Sequence, residues 1–146
     1  MPTQRARRQV ILVIEDYGDS REMLKLLLES LNYSVLTAAN AQEALTLAAR
    51  NNLDLIVTDL GLPEMDGITV VRHLRELNDR LRDVPIIMLT ALDDAEHYDT
   101  ALKAGCTEFL AKPLDFERLK AMIGRLLRER CDDKEDTPNG VQFRES

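Results

Sequence analysis

The chain has 146 residues, 45% of them hydrophobic and 31% charged, an ordinary balance for one globular domain with its own core. No apolar run reaches about 18 residues, so no membrane span is expected. The net charge of −7 speaks against direct, non-specific nucleic-acid binding, which positive charge drives.

Residues 1–8 read as a basic leader carrying Arg5, Arg7 and Arg8. No small-residue cleavage site follows it, so a signal peptide is rejected. Strand one is expected over Val10–Ile14, where every residue is apolar. Helix one follows Asp19 or Ser20, either a good N-cap, with Met23, Leu24, Leu27, Leu28 and Leu31 at helical spacing. Strand two covers Ser34–Ala38. Asn40 with Glu43 resembles a capping box and opens helix two, which ends near Asn51 and Asn52. Strand three is Leu55–Asp59. The loop from Gly61 to Gly67 breaks the pattern, and helix three runs to Leu77.

Strand four is expected over Pro85–Leu89, ending in Thr90. Helix four lies within Asp94–Ala104, with Gly105 as its left-handed C-cap. Strand five is short, Glu108–Leu110, followed by Lys112 and Pro113, and Xaa-Pro bonds are where cis peptides occur. Asp115 caps helix five, which holds Leu119, Met122, Ile123, Leu126 and Leu127. From Asp132 the chain turns polar and acidic, with Pro138-Asn139-Gly140, and a disordered tail is expected over residues 132–146. One domain is thus expected over residues 9–131. Five strand-helix units imply right-handed crossovers and an α/β sheet with helices on both faces.

Runs such as Val10–Ile14 and Leu55–Val57 read as strands buried on both faces of a parallel sheet. Glu15 and Asp16 follow the first run, and Asp59 ends the second. All three acids then sit at the carboxyl edge of the sheet, where ligands bind in open α/β folds. Meeting carboxylates repel one another unless a cation joins them, and all-oxygen ligands select a hard ion, Mg²⁺ or Mn²⁺. Asp59 is the candidate nucleophile, because a carboxylate can accept a phosphoryl group as an acyl phosphate. Thr90 and Lys112 also follow strands and reach the same edge. Lys112 offers the phosphoryl oxygens a positive charge, and Thr90 a hydrogen bond.

These motifs resemble the receiver domain of two-component response regulators. The resemblance covers residues 9–130 and rests on four stretches. They are Val13-Ile14-Glu15-Asp16, Asp59 through Gly67, Met88-Leu89-Thr90-Ala91, and Phe109-Leu110-Ala111-Lys112-Pro113. It implies a flavodoxin-like three-layer sandwich with strand order 2-1-3-4-5. It places the phosphoacceptor on Asp59 and the metal ligands on Glu15, Asp16, Asp59 and the Gly61 carbonyl. It places the switch on Thr90 and Phe109 and the family's lysine on Lys112. Gly61 and Leu92 fall on two positions that tune phosphoryl lifetime. Glu15 replaces the commoner Asp and keeps the charge.

The resemblance implies a phosphoryl donor that is a sensor histidine kinase or a histidine phosphotransfer protein. The expected product is a stand-alone cytoplasmic switch, not an enzyme, whose output passes to an unknown partner protein. Onward phosphotransfer, or a place as the receiver of a longer transcription regulator, is the alternative. The face of helix four, strand five and helix five suits a homodimer or a heterologous partner. A phosphatase with an Asp nucleophile wants a second Asp two positions on, and Gly61 stands there. His73 and His97 lack ligand spacing and do not read as phosphodonors. Cys106 and Cys131 have neither disulfide nor zinc spacing and read as reduced thiols.

Overall fold

The computed structural model describes residues 8–62, 65–91 and 98–144, with side chains described through Arg130. Expectations that rest on Arg5 and Arg7, on Pro63 and Glu64, on Leu92, on His97 and the start of helix four, and on the Cys131 side chain lie outside them.

Five strands, β1 (Val10–Ile14), β2 (Ser34–Ala38), β3 (Leu55–Asp59), β4 (Ile86–Ala91) and β5 (Glu108–Lys112), pair in parallel. Their order in the sheet is 2-1-3-4-5, as the family resemblance implies. Five helices follow them in turn: α1 (Gly18–Ser30), α2 (Ala41–Arg50), α3 (Gly67–Leu77), α4 (Tyr98–Ala104) and α5 (Phe116–Arg144). The chain steps from β1 outward to β2 and then back across β1 to β3. The order reverses there, and a crevice opens between the carboxyl ends of β1 and β3.

Burial on both faces explains the uninterrupted apolar strands. Leu12, Ile14, Ile56, Ile86 and Met88 join one core with Ala41, Ala44 and Ala48 of α2, Val70, Val71 and Leu74 of α3, and Ala101 of α4. The alternate residues Ile11, Val13, Leu55, Val57, Ile87 and Leu89 point to the opposite face and are equally buried. There α1, with Leu24 and Leu28 buried, packs beside β1 and β2. Each such side chain contributes about 1.5–3 kcal/mol on leaving water. No helix among the described residues is long and apolar enough to cross a membrane.

Element ends differ from expectation in instructive ways. α1 starts at Gly18, and its cap position, Tyr17, supplies no side-chain bond. Asp19 lies inside the first turn, where its charge suits the helix dipole. Asn40 does cap α2, accepting from the Glu43 amide at 2.8 Å, while Glu43 accepts from the Ala39 amide at 2.7 Å. A 3₁₀ turn over Asp79–Arg82, capped by Asn78, precedes β4 and carries no sequence signal strong enough to predict it. β4 and β5 are longer than expected, because Thr90 pairs with Ala111 and Ala91 with Lys112. Thr90 and Lys112 are therefore strand residues with fixed directions.

From Asp115 to Arg144 the chain forms a compact unit of its own. Asp115 accepts from the amides of Glu117 at 3.0 Å and Arg118 at 3.4 Å, as a cap should. The composition predicts a disordered tail over residues 132–146; α5 is helical through Arg144.

Gly67 opens α3 against the end of β3. A Cβ there would stand 2.5 Å from the Asp59 carbonyl oxygen and 2.8 Å from the Leu60 Cα. Both neighbours are backbone and cannot swing aside. Gly67→Ala is expected to cost about 1–3 kcal/mol and to push the end of β3 out of place. Urea unfolding of the variant beside the wild type checks this.

Candidate functional site

The carboxyl edge of the sheet gathers the charged residues. Glu15 and Asp59 are buried, and Asp16 beside them is exposed. One oxygen from each of the three carboxylates lies within 4.8 Å of the others. The Lys112 ammonium sits 2.8 Å from Asp59 Oδ1 and 3.8 Å from Glu15 Oε1. The Lys112-Pro113 peptide is cis. Glu15 also accepts, through Oε2, from the Tyr17 amide at 3.1 Å.

Burial raises the Glu15 pKa, and the Tyr17 amide only partly offsets it; the neighbouring Asp59 charge raises it further. Burial pulls the Lys112 ammonium down. The bonded Asp59 and the charges of Glu15 and Asp16 outweigh it, so the net shift is upward. Three acids against one lysine leave the edge negative. A hard cation fits this all-oxygen donor set and would relieve the cost of ionising a buried Glu15.

The sign of the Glu15 shift has a measurable consequence. An acid whose folded pKa lies above its unfolded value adds stability when protonated, and that contribution is lost as pH rises through the folded pKa. The metal-free chain is therefore expected to gain from this residue as pH falls from 7 toward the ordinary value of 4.5. Glu15→Gln should raise the metal-free Tm at pH 7 and flatten this part of the pH profile. Thermal unfolding in chelator across that window checks it.

Thr90 lies on β4, one residue past the Leu89 that pairs with Asp59. It is 2% exposed, and its hydroxyl is a buried polar atom with no hydrogen-bond partner among the described residues. A buried hydroxyl left unmated costs free energy, so a bonding group brought to this edge would recover it. Gly61 is exposed, and a Cβ added there would meet nothing within 4 Å. The position two residues after Asp59 is open. Phe109 is half-buried on β5 and stacks on Tyr98 of α4, with ring centroids 4.5 Å apart and planes at 22°. Tyr98 carries no motif, and nothing in the sequence pairs it with Phe109. His73 is exposed on α3 and apart from this edge.

Comparisons with known proteins agree with this architecture. A family model described as the response regulator receiver domain matches residues 11–124. A probable transcriptional regulator, ycf27, of Porphyridium aerugineum is 36% identical over 135 residues, covering 91% of this chain and 55% of its own. The chain spans about half the length of such curated relatives. Among solved structures, Vibrio cholerae chemotaxis protein CheY4 is 30% identical with a TM-score of 0.78, covering 82% of this chain and 99% of its own. The receiver domain of sensor histidine kinase PA1611 from Pseudomonas aeruginosa PAO1 is 33% identical with a TM-score of 0.75. That match covers 83% of this chain and 98% of the other, whose active-site cleft coordinates a magnesium ion. With its sheet order and its matched residues 11–124, the chain belongs to the response regulator receiver domain family of two-component systems.

Proposed function

We propose that this receiver accepts a phosphoryl group on Asp59 from the phosphohistidine of a sensor histidine kinase or a histidine phosphotransfer protein, in the cytoplasm. The observation that supports it best is the Lys112–Asp59 contact of 2.8 Å inside the acid cluster. An Asp59 oxygen attacks phosphorus while the phosphorus–nitrogen bond of the donor breaks, and the imidazole leaves with the electron pair. Glu15, Asp16, Asp59 and the Gly61 carbonyl would hold Mg²⁺, which when bound neutralises charge on the phosphoryl oxygens. Lys112 supplies a second cation. Its ammonium already faces Asp59 and needs little motion to meet the new oxygens.

Thr90 then turns its unmated hydroxyl to a phosphoryl oxygen. Phe109 moves into the space vacated, and its stack on Tyr98 is reshaped. That biases a two-state change on the surface of α4 and β5, which a partner protein or a second copy reads. The chain acts on no further substrate and is not an enzyme in the turnover sense. Direct binding of an output protein is the favoured output, over onward phosphotransfer. A second reading, the receiver of a longer transcription regulator, is supported by the name and greater length of the ycf27 relatives.

Intact mass after incubation with acetyl phosphate and Mg²⁺ tests the site. One added phosphoryl group on the wild type and none on Asp59→Asn is expected. An unmodified wild type, folded and with metal present, would refute small-molecule phosphorylation. A phosphohistidine donor protein would then be tried before the site is abandoned.

A further inference from the structure

We propose that Arg21 is a positioning residue of the acid pair, its guanidinium holding the peptide groups of Glu15 and Asp16 so that both carboxylates are aimed at one cation. The inference rests on Glu15, Asp16 and Asp59 as a Mg²⁺ site.

The chain bends sharply between the end of β1 at Ile14 and the start of α1 at Gly18. The last ladder bond runs from the Glu15 amide to the Ala38 carbonyl at 3.0 Å. Beyond it the backbone leaves the sheet. Arg21, one turn into α1, reaches back over the bend. Its Nη1 donates to the Glu15 carbonyl at 3.0 Å and to the Asp16 carbonyl at 3.3 Å. The Glu15 carboxylate ties the same bend from the other side by accepting from the Tyr17 amide. Oε2 is engaged there, which leaves Oε1 as the oxygen facing Lys112.

Asp16 depends most on this arrangement. It is exposed, and among the described residues no hydrogen bond holds its carboxylate. Its direction is set by its backbone, and Arg21 bonds the carbonyl on each side of its α-carbon. Groups that orient the ligands of a metal commonly govern affinity as much as the ligands do, by 10- to 100-fold on mutation.

A plain charge effect predicts the opposite sign. A guanidinium near the site repels a cation, so removing it would tighten Mg²⁺ binding if its field were all that mattered. Positioning predicts weaker binding. The two are separated by isothermal titration of Mg²⁺ into the full chain, as wild type, Arg21→Met and Arg21→Lys, with the Tm of each metal-free protein measured alongside. Arg21→Met should weaken Mg²⁺ about tenfold, and Arg21→Lys, which keeps a donor and the charge, should recover part of that. Unchanged or tighter binding by folded Arg21→Met would overturn the proposal. A lower Tm with an unchanged Kd would overturn it too, by reducing Arg21 to a structural brace. Should Arg21→Met fail to fold, Arg21→Gln carries the same test. A wild type that takes no Mg²⁺ would remove the metal site itself, and the proposal with it.

Discussion

Replacing Lys112 with Met will slow phosphorylation by acetyl phosphate about 10²- to 10³-fold while tightening Mg²⁺ binding. The two effects have opposite signs because the ammonium does two things. In the resting chain it sits 2.8 Å from Asp59 and 3.8 Å from Glu15, balancing part of the acid charge. Its removal leaves three carboxylates facing one another, and a cation gains what the lysine gave up. Lys112 is 40% exposed, so water screens much of that attraction. After this discount the gain is about 1 kcal/mol, or roughly fivefold in Kd. In the proposed transfer the same ammonium would face negative charge on the phosphoryl oxygens. Phosphorylation time courses by intact mass, run at saturating Mg²⁺, isolate the second role. If saturating metal restored the rate of Lys112→Met, the lysine would act through the metal site and not on the phosphoryl group.

The parts of this molecule legible in its sequence are those governed by local rules. Five apolar runs mark five strands because each is buried on both faces, and the Asn40–Glu43 cap marks α2 because both bonds are made within five residues. Glu15, Asp16 and Asp59 stand out because acids at the ends of such runs are conspicuous, and the sheet order then brings them to one crevice. What the sequence hides is tertiary. Arg21 looks like any charged residue on an amphipathic helix, and its bonds to the Glu15 and Asp16 carbonyls exist only once the chain bends at Tyr17. Gly67 looks like a turn residue, yet its role is a close approach to the backbone of Asp59 and Leu60. Tyr98 meets Phe109 only because α4 and β5 lie together in the fold.

Arg75→Met should be strongly destabilising, costing about 3–5 kcal/mol and lowering Tm by roughly 10 °C or more. Its guanidinium is half-buried and makes four hydrogen bonds to three carbonyls. Nε and Nη2 donate to the Gly105 carbonyl at 3.0 and 2.7 Å. Nη1 donates to Leu81 at 2.7 Å and to Val84 at 2.6 Å. Those carbonyls lie in the turns that lead into β4 and β5, so one side chain fixes where both strands begin. Met preserves the stem and removes every donor, leaving partly buried carbonyls without their cationic partner. The stem matters as well. Gly105 adopts φ +120°, and a Cβ there would stand 2.8 Å from the Arg75 Cγ, so Gly105→Ala attacks the same joint from the other side. Cys106, next in the chain, is buried, and burial pushes its thiol up to about 11, so it reports opening of this joint by reacting slowly until the fold loosens. Thermal unfolding with Cys106 alkylation, in a Cys131→Ser background, checks the prediction. The strands whose starts Arg75 fixes carry Thr90 and Lys112 at their far ends, and pairing along β4 and β5 spans the distance. Well below its Tm, Arg75→Met should therefore accept phosphate from acetyl phosphate at close to the wild-type rate. A folded variant slowed tenfold or more would show that the joint shapes the phosphoacceptor edge as well as holding the sheet together.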